Sequence, residues 1–147
     1  IAARIGDLAD AEAIVALKDL LGALGSANLE CRTDGAAIDA SRRDFYTFNT
    51  TIAGIEEADA LLIIGSNPRQ EAPVINARIR KRAISGAPFP AGFIGPRGLD
   101  LTYRHDWLGE GGATLRAIAA GTHRFNEELR AARRPMLILG RGALRRA

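Results

Sequence analysis

The run Leu61-Leu62-Ile63-Ile64 constrains the fold more than any other part of the chain. Four consecutive apolar residues are too few for an independent helix and lack the alternation of a half-buried strand. They predict a central parallel strand covered on both faces. Gly65, Ser66, Asn67 and Pro68 then break the regular backbone, and from Glu71 to Lys81 helical spacing resumes, with Val74, Ile75 and Ile79 on one side and Arg78, Arg80 and Lys81 on the others. A buried strand, a glycine turn and a helix in direct succession present a loop at the carboxyl end of the strand. That is where open α/β sheets bind ligands.

The rest of the chain repeats the alternation. Residues 2–5 and 29–32 read as short strands. Between them Asp7 or Asp10 caps a helix in which Ile14, Val15, Leu17, Leu20, Leu21 and Leu24 form a broad buried face, and Gly25 stops it. Residues 33–49 are polar and show no assignable period. Thr50 or Thr51 caps a short helix through Ala58, with Ile52 and Ile55 facing inward and Glu56 and Glu57 outward. Residues 91–94 predict a further strand, residues 113–120 and 126–132 short helices, and residues 136–139 a last buried strand closed by Gly140, Arg141 and Gly142. The pattern predicts one three-layer α/β domain over residues 1–147, built on a mostly parallel sheet with right-handed crossovers. With no initiator Met, and a strand-and-glycine signal just before its last residues, the chain reads as a fragment of a longer polypeptide.

Composition narrows the functions. Aromatics make up only 5% of the 147 residues, so the core leans on Ala and needs close helix-to-sheet packing. The net charge of +3 comes from arginine, Lys18 and Lys81 being the only lysines. The basic residues are scattered and no aromatics interleave them, which argues for arginine-favouring codon usage over a nucleic-acid surface. Cys31 stands alone, which excludes an internal disulfide and any zinc or iron-sulfur spacing and suits a reducing compartment. No window approaches the roughly 20 apolar residues of a membrane span, so any membrane association is through partners.

Among candidate sites the Gly65 loop comes first. Its backbone amides could receive an anion, and Arg69 could add charge. It matches neither the G-x-G-x-x-G nor the G-x-x-x-x-G-K-[ST] fingerprint, and Gly140-Arg141-Gly142 begins like the former but has Arg145 where the last glycine belongs. A bound cofactor and a purely structural turn both remain open, with the turn preferred. His105 and Asp106 are adjacent and so do not face each other; a surface or loop histidine is the better reading, and His123 is the only other imidazole. Ser26, Ser41, Ser66 and Ser85 have no nucleophile-elbow context. Cys31 has no neighbouring His or Lys to activate it and reads as a small buried or semi-buried thiol. Glu56, Glu57 and Asp59 read as a solvated face before they read as a metal site. No constellation amounts to an active site.

Several segments nevertheless match a known family. Residues 71–81 (Glu-Ala-Pro-Val-Ile-Asn-Ala-Arg-Ile-Arg-Lys), residues 49–59 and Asp100-Leu101-Thr102-Tyr103 resemble the large iron-sulfur subunits of respiratory complex I, the NADH-quinone oxidoreductase. So do residues 6–8, 16–21 and 135–140, and the resemblance covers nearly the whole chain. The strand with Gly65-Ser66-Asn67-Pro68 is shared more widely with molybdopterin oxidoreductases such as formate dehydrogenases.

The resemblance implies a Rossmann-like segment of the molybdopterin-oxidoreductase-like C-terminal region of such a subunit, a region understood to have lost its cofactor. It implies a non-catalytic structural role inside a proton-pumping NADH:quinone oxidoreductase that carries electrons from NADH towards quinone. The 4Fe-4S and 2Fe-2S clusters of the parent subunit would lie elsewhere, since a cluster needs about four thiolates and only Cys31 is present. Partners would be the rest of the subunit and other peripheral-arm subunits, on the cytoplasmic side of the bacterial inner membrane, with no nucleic acid and no direct membrane insertion. The alternative implied is a cofactor-binding domain of a true molybdopterin oxidoreductase, with Gly65, Ser66, Asn67 and Arg69 lying near the pterin nucleotide.

Overall fold

The computed structural model describes residues 1–6, 8–31, 35 and 37–145. They fall into two compact units, one of residues 1–37 together with Arg145 and one of Ile38–Leu144. The first holds strand β1 (Ala3–Arg4), helix α1 (Ala11–Ala23) and strand β2 (Leu29–Glu30), the two strands pairing in parallel. Asp10 caps α1 by accepting the Ala13 N–H at 2.7 Å, one of the donors a helix start leaves unpaired. Asp7 and Arg32, the other expected cap and strand end, lie outside the described residues. At the far end Gly25 takes φ +68°, and the amides of Gly25 and Ser26 turn back to the carbonyls of Gly22 and Leu21, a glycine-dependent helix stop.

The broad buried face expected on α1 is not found. Only Leu21 is buried, whereas Ile14, Val15, Leu20 and Leu24 are exposed. The helix carries apolar side chains around much of its circumference, and two strands of two residues offer too little surface to cover them.

The second unit contains β3 (Ala60–Ile64), α2 (Pro68–Glu71), α3 (Pro73–Ala83), β4 (Ala91–Ile94), β5 (Asp106–Gly109), α4 (Gly111–Ala119), α5 (Asn126–Ala131) and β6 (Pro135–Leu139). Short 3₁₀ turns at Arg43–Phe45, Ala53–Glu57 and Arg141–Ala143 complete it. Its sheet is wholly parallel in the order β5-β4-β3-β6. β3 is buried along its whole length, as the unbroken apolar run requires.

One face of this sheet packs Leu61, Ile63 and Phe93 against Ile79 of α3, Ile55 and Leu101. The opposite face packs Leu62, Ile64 and Ile94 against Ile118 of α4 and Phe125, with Leu129 of α5 beside them. Helices on both faces of a parallel sheet make this the expected three-layer α/β architecture. The helix read from Glu71 onward is α3, which begins at Pro73, and the short α2 before it was not expected. Pro73 cannot continue the hydrogen-bond ladder and forces Ala72 out of helical geometry, so α3 starts anew with Pro73 at its first position and leaves Val74 exposed. β6 is not the buried strand expected. It is an edge strand, and Leu137 and Leu139 are exposed.

Candidate functional site at the Gly65 and Gly140 turns

Chain order and sheet order diverge at β3. From Gly65 the chain leaves β3 through α2 and α3 on one face to reach β4, while the connection from β5 to β6 runs through α4 and α5 on the other. The carboxyl ends of β3 and β6 therefore flank the switch point, the crevice where such sheets bind ligands. The Gly65 amide donates to Ile94 O at 2.9 Å and the Gly140 amide to Ile64 O at 2.8 Å, so both turns are pinned to the sheet.

The crevice is filled by backbone. Gly65 has φ +61°, and a Cβ placed on it would lie 2.5 Å from Ala143 N and 2.8 Å from Ala143 Cβ. A Cβ on Gly140 would lie 2.3 Å from Ser66 Cβ, and one on Gly142 would lie 2.5 Å from Gly65 O. Three glycines thus allow the 3₁₀ turn Arg141–Ala143 to seat directly on the Gly65 turn.

The loop's donors are also engaged. The Asn67 amide donates to Glu71 Oε1 at 2.7 Å and the Ser66 hydroxyl to Glu71 Oε2 at 3.1 Å, so a carboxylate one turn into the helix takes the place an external anion would have. Arg69 reaches away to ion-pair with Asp100 and to bond its carbonyl at 3.2 Å. The Asp100 carboxyl is held below the usual carboxylate range by the Thr102 amide and by Arg69. One atom is left over: Asn67 Oδ1 is buried without a partner.

Of the four sequence candidates, the structure brings Gly65, Ser66 and Asn67 together and draws Arg69 off to Asp100. Sequence reasoning missed Glu71 as the occupant and residues 141–143 as the plug. A carboxylate just inside a helix opened by Asn67-Pro68 is a capping signal that could have revealed Glu71. The contact with Ala143 is long-range and had none.

The other candidates make local contacts. His105 is half-buried, its Nδ1 lying 3.1 Å from Tyr103 O and its ring edge-on to Phe93 at 6.0 Å. His123 Nδ1 accepts the Phe125 amide at 3.1 Å. Cys31 is exposed, correcting the expectation of a buried or semi-buried thiol; it lies just past the end of the two-residue strand β2.

The acidic cluster is a clasp. Glu56 pairs with Lys81 at 2.7 Å and with Arg78, Glu57 pairs with Arg134, and Asp59 accepts the amides of Arg133 and Arg134 at 2.8 and 2.9 Å. The expectation of an outward, solvated Glu56 gives way to a half-buried side chain tied to α3. No group of three His, Cys, Asp or Glu among the described residues is placed to hold a metal ion.

These bonds make a pH prediction. Lys81 and then Arg78 lower the Glu56 carboxyl, and the Arg133 amide lowers Asp59. A carboxylate depressed in the folded state contributes stability above its unfolded value near 4, and loses it as pH falls through the folded value. The denaturant midpoint should therefore hold from neutral pH to about 5 and fall below about 4, with Glu56→Gln lessening the fall. A midpoint indifferent to acid would remove the clasp from the folded state.

A cleft of about 1090 Å³ opens along the length of β6, from Arg134 before it to Arg141 and Leu144 beyond its carboxyl end, and is lined also by Phe45, Tyr46 and Phe48. No helix among the described residues is long and apolar enough to cross a membrane.

Comparison with known proteins adds three findings. The family model described as molybdopterin oxidoreductase matches residues 1–147. The chain is 43% identical over 141 residues to the mitochondrial NADH dehydrogenase [ubiquinone] iron-sulfur protein 1 of Solanum tuberosum, covering 96% of this chain and 19% of that protein. It is 44% identical over 146 residues to an NADH-quinone oxidoreductase subunit of Rickettsia felis, covering 99% of this chain and 22% of that protein. The chain thus spans about a fifth of the length of these curated relatives.

Proposed function

Because the chain belongs to the molybdopterin oxidoreductase family, we propose that it is a non-catalytic structural domain of that family, built into the large iron-sulfur subunit of a proton-pumping NADH:quinone oxidoreductase. The parent subunit would pass electrons from NADH towards quinone through iron-sulfur clusters outside these 147 residues, which supply only one cysteine. The domain would pack against the rest of its own subunit and against other subunits of the peripheral arm, on the cytoplasmic side of the membrane. The named relatives support the assignment to this complex.

The observation that carries the non-catalytic reading is the closed crevice. A pterin nucleotide approaching the switch point needs open space and free amide donors. Here Ala143 is seated against Gly65, and Glu71 holds the Ser66 hydroxyl and the Asn67 amide. The residues present do not fit the cofactor.

Asn67 Oδ1, buried and unpaired, is the single feature that favours the other reading, a cofactor-binding domain of an active molybdopterin oxidoreductase using Gly65, Ser66, Asn67 and Arg69. Metal and pterin analysis of the purified full-length polypeptide separates the two. We expect iron but neither molybdenum nor tungsten nor pterin, and no change on Asn67→Ala or Arg69→Ala. Stoichiometric metal-pterin that is lost in those variants would establish the active reading instead.

A further inference from the structure

β6 breaks a rule that the two central strands of its sheet, β3 and β4, obey. Parallel strands are covered on both faces. Side chains alternate along a strand, and Met136 and Ile138 pack into the layer formed by Ile55, Leu61, Ile63 and Ile79. Leu137 and Leu139 therefore face the opposite side, in register with Leu62 and Ile64 of β3. Those two β3 residues are buried there, while Leu137 is 58% and Leu139 51% exposed. The α4 and α5 layer covers β3 and stops short of β6.

Among the described residues the outer edge of β6 is bare as well. Arg134 O accepts from Asp59 and Gly140 N–H donates to Ile64 O, so the even-numbered residues turn their backbone groups to β3. By alternation the amides and carbonyls of Leu137 and Leu139 point outward. They line the cleft beside exposed Phe45, Tyr46 and Phe48. An apolar edge strand with free backbone groups is a surface made for another strand.

Crossover handedness says which face the connection would occupy. The step from β3 to β4 runs towards β5 and its helix lies on the Ile79 face; the step from β5 to β6 runs the opposite way and its helices lie on the Ile118 face. Reversing direction reverses the face, as a constant right hand requires. A further parallel strand beyond β6 continues in the β5-to-β6 direction, so its connection falls on the Ile118 side. That is where Leu137 and Leu139 are bare.

We infer that β6 is an internal strand of a wider sheet, covered by a helix and then a fifth parallel strand from a part of the same polypeptide outside residues 1–147. The helix lies on Leu137 and Leu139 and the strand pairs with the outer edge of β6. Relatives about five times as long supply ample chain for it. A second copy is disfavoured because two-fold pairing of β6 with itself would be antiparallel and would bring no helix onto that face. The inference is independent of whether the Gly65 turn holds a ligand.

Residue-resolved amide exchange on the full-length polypeptide, purified away from other proteins, tests it. The Leu137 and Leu139 amides are expected to exchange at least about a hundredfold more slowly than in an unstructured peptide, close to Met136 and Ile138. Free exchange at Leu137 and Leu139 beside protected Met136 and Ile138 overturns the inference. Protection that vanishes on roughly tenfold dilution assigns the edge to a second copy, and protection gained only on adding another subunit assigns it to a foreign chain; either overturns it too. A photo-crosslinking side chain in place of Leu137 provides a second readout. Its adduct should lie in the same polypeptide outside residues 1–147, and adducts confined to residues 1–147 or to a different chain overturn the inference.

Discussion

Gly65→Ala is expected to destabilise the Ile38–Leu144 unit by about 2–5 kcal/mol, combining about 1–2 for a side chain in the left-handed region with about 1–3 for a methyl forced into packed atoms. Both contributions are local. Gly65 has φ +61°, and its new Cβ would meet Ala143 N at 2.5 Å, backbone that cannot swing aside as a flexible side chain could. Two companion variants separate the causes. Gly86 has φ +87° with nothing within 4 Å, so Gly86→Ala should show the conformational part alone, about 1–2 kcal/mol. Gly140 has an ordinary φ of −87° but its Cβ would lie 2.3 Å from Ser66 Cβ, so Gly140→Ala should show the steric part alone. Denaturant unfolding of the three variants gives the comparison. If Gly65→Ala loses no more than Gly86→Ala, the Arg141–Ala143 turn is not seated on the loop, and the closed crevice on which the non-catalytic reading stands is open.

The parts of this fold that were legible in the sequence are those whose signal is local. β3 and β4 are short apolar runs bounded by breakers, and each appears with the expected bounds. β5 escaped because Asp106-Trp107-Leu108-Gly109 is an edge strand that starts on a charge and leaves Trp107 partly exposed, so it carries neither an apolar run nor alternation. β6 was found but given the wrong environment. Whether Leu137 and Leu139 are covered depends on where the strand sits in the sheet, and an apolar run does not encode strand order. The apolar face of α1 failed for the same reason: periodicity shows that a face wants burial, not that anything is there to bury it. At the site the glycine turn was visible and its contents were not. Gly65 needs no partner to be recognised as a turn, whereas Ala143, which fills the crevice, reaches it only through the fold.

Phe93→Ala is the second large effect, expected at about 3–5 kcal/mol, a large share of the 5–15 kcal/mol that holds a typical domain folded. The ring is only 1% exposed and packs among Leu61, Ile63, Ile79 and Leu101. It also stands edge-on to His105, and its Cζ occupies the space beside Gly95 where a Cβ would lie at 2.6 Å. Trp107 makes the control because it is the register partner of Phe93 on β5, is larger, and is 38% exposed under the Arg97 guanidinium. Burial, not ring size, sets the loss, so Trp107→Ala should destabilise by clearly less. The two variants should differ in a second way. Ile94, next to Phe93, accepts the Gly65 amide at 2.9 Å, so loosening β4 loosens the turn that closes the switch point. Amide exchange at Gly65 should accelerate in Phe93→Ala more than in Trp107→Ala. Equal losses in stability, with an unchanged Gly65 amide in both, would mean that the core on the Ile79 face does not hold the turn, and that the pinning of Gly65 to β4 contributes nothing to its closure.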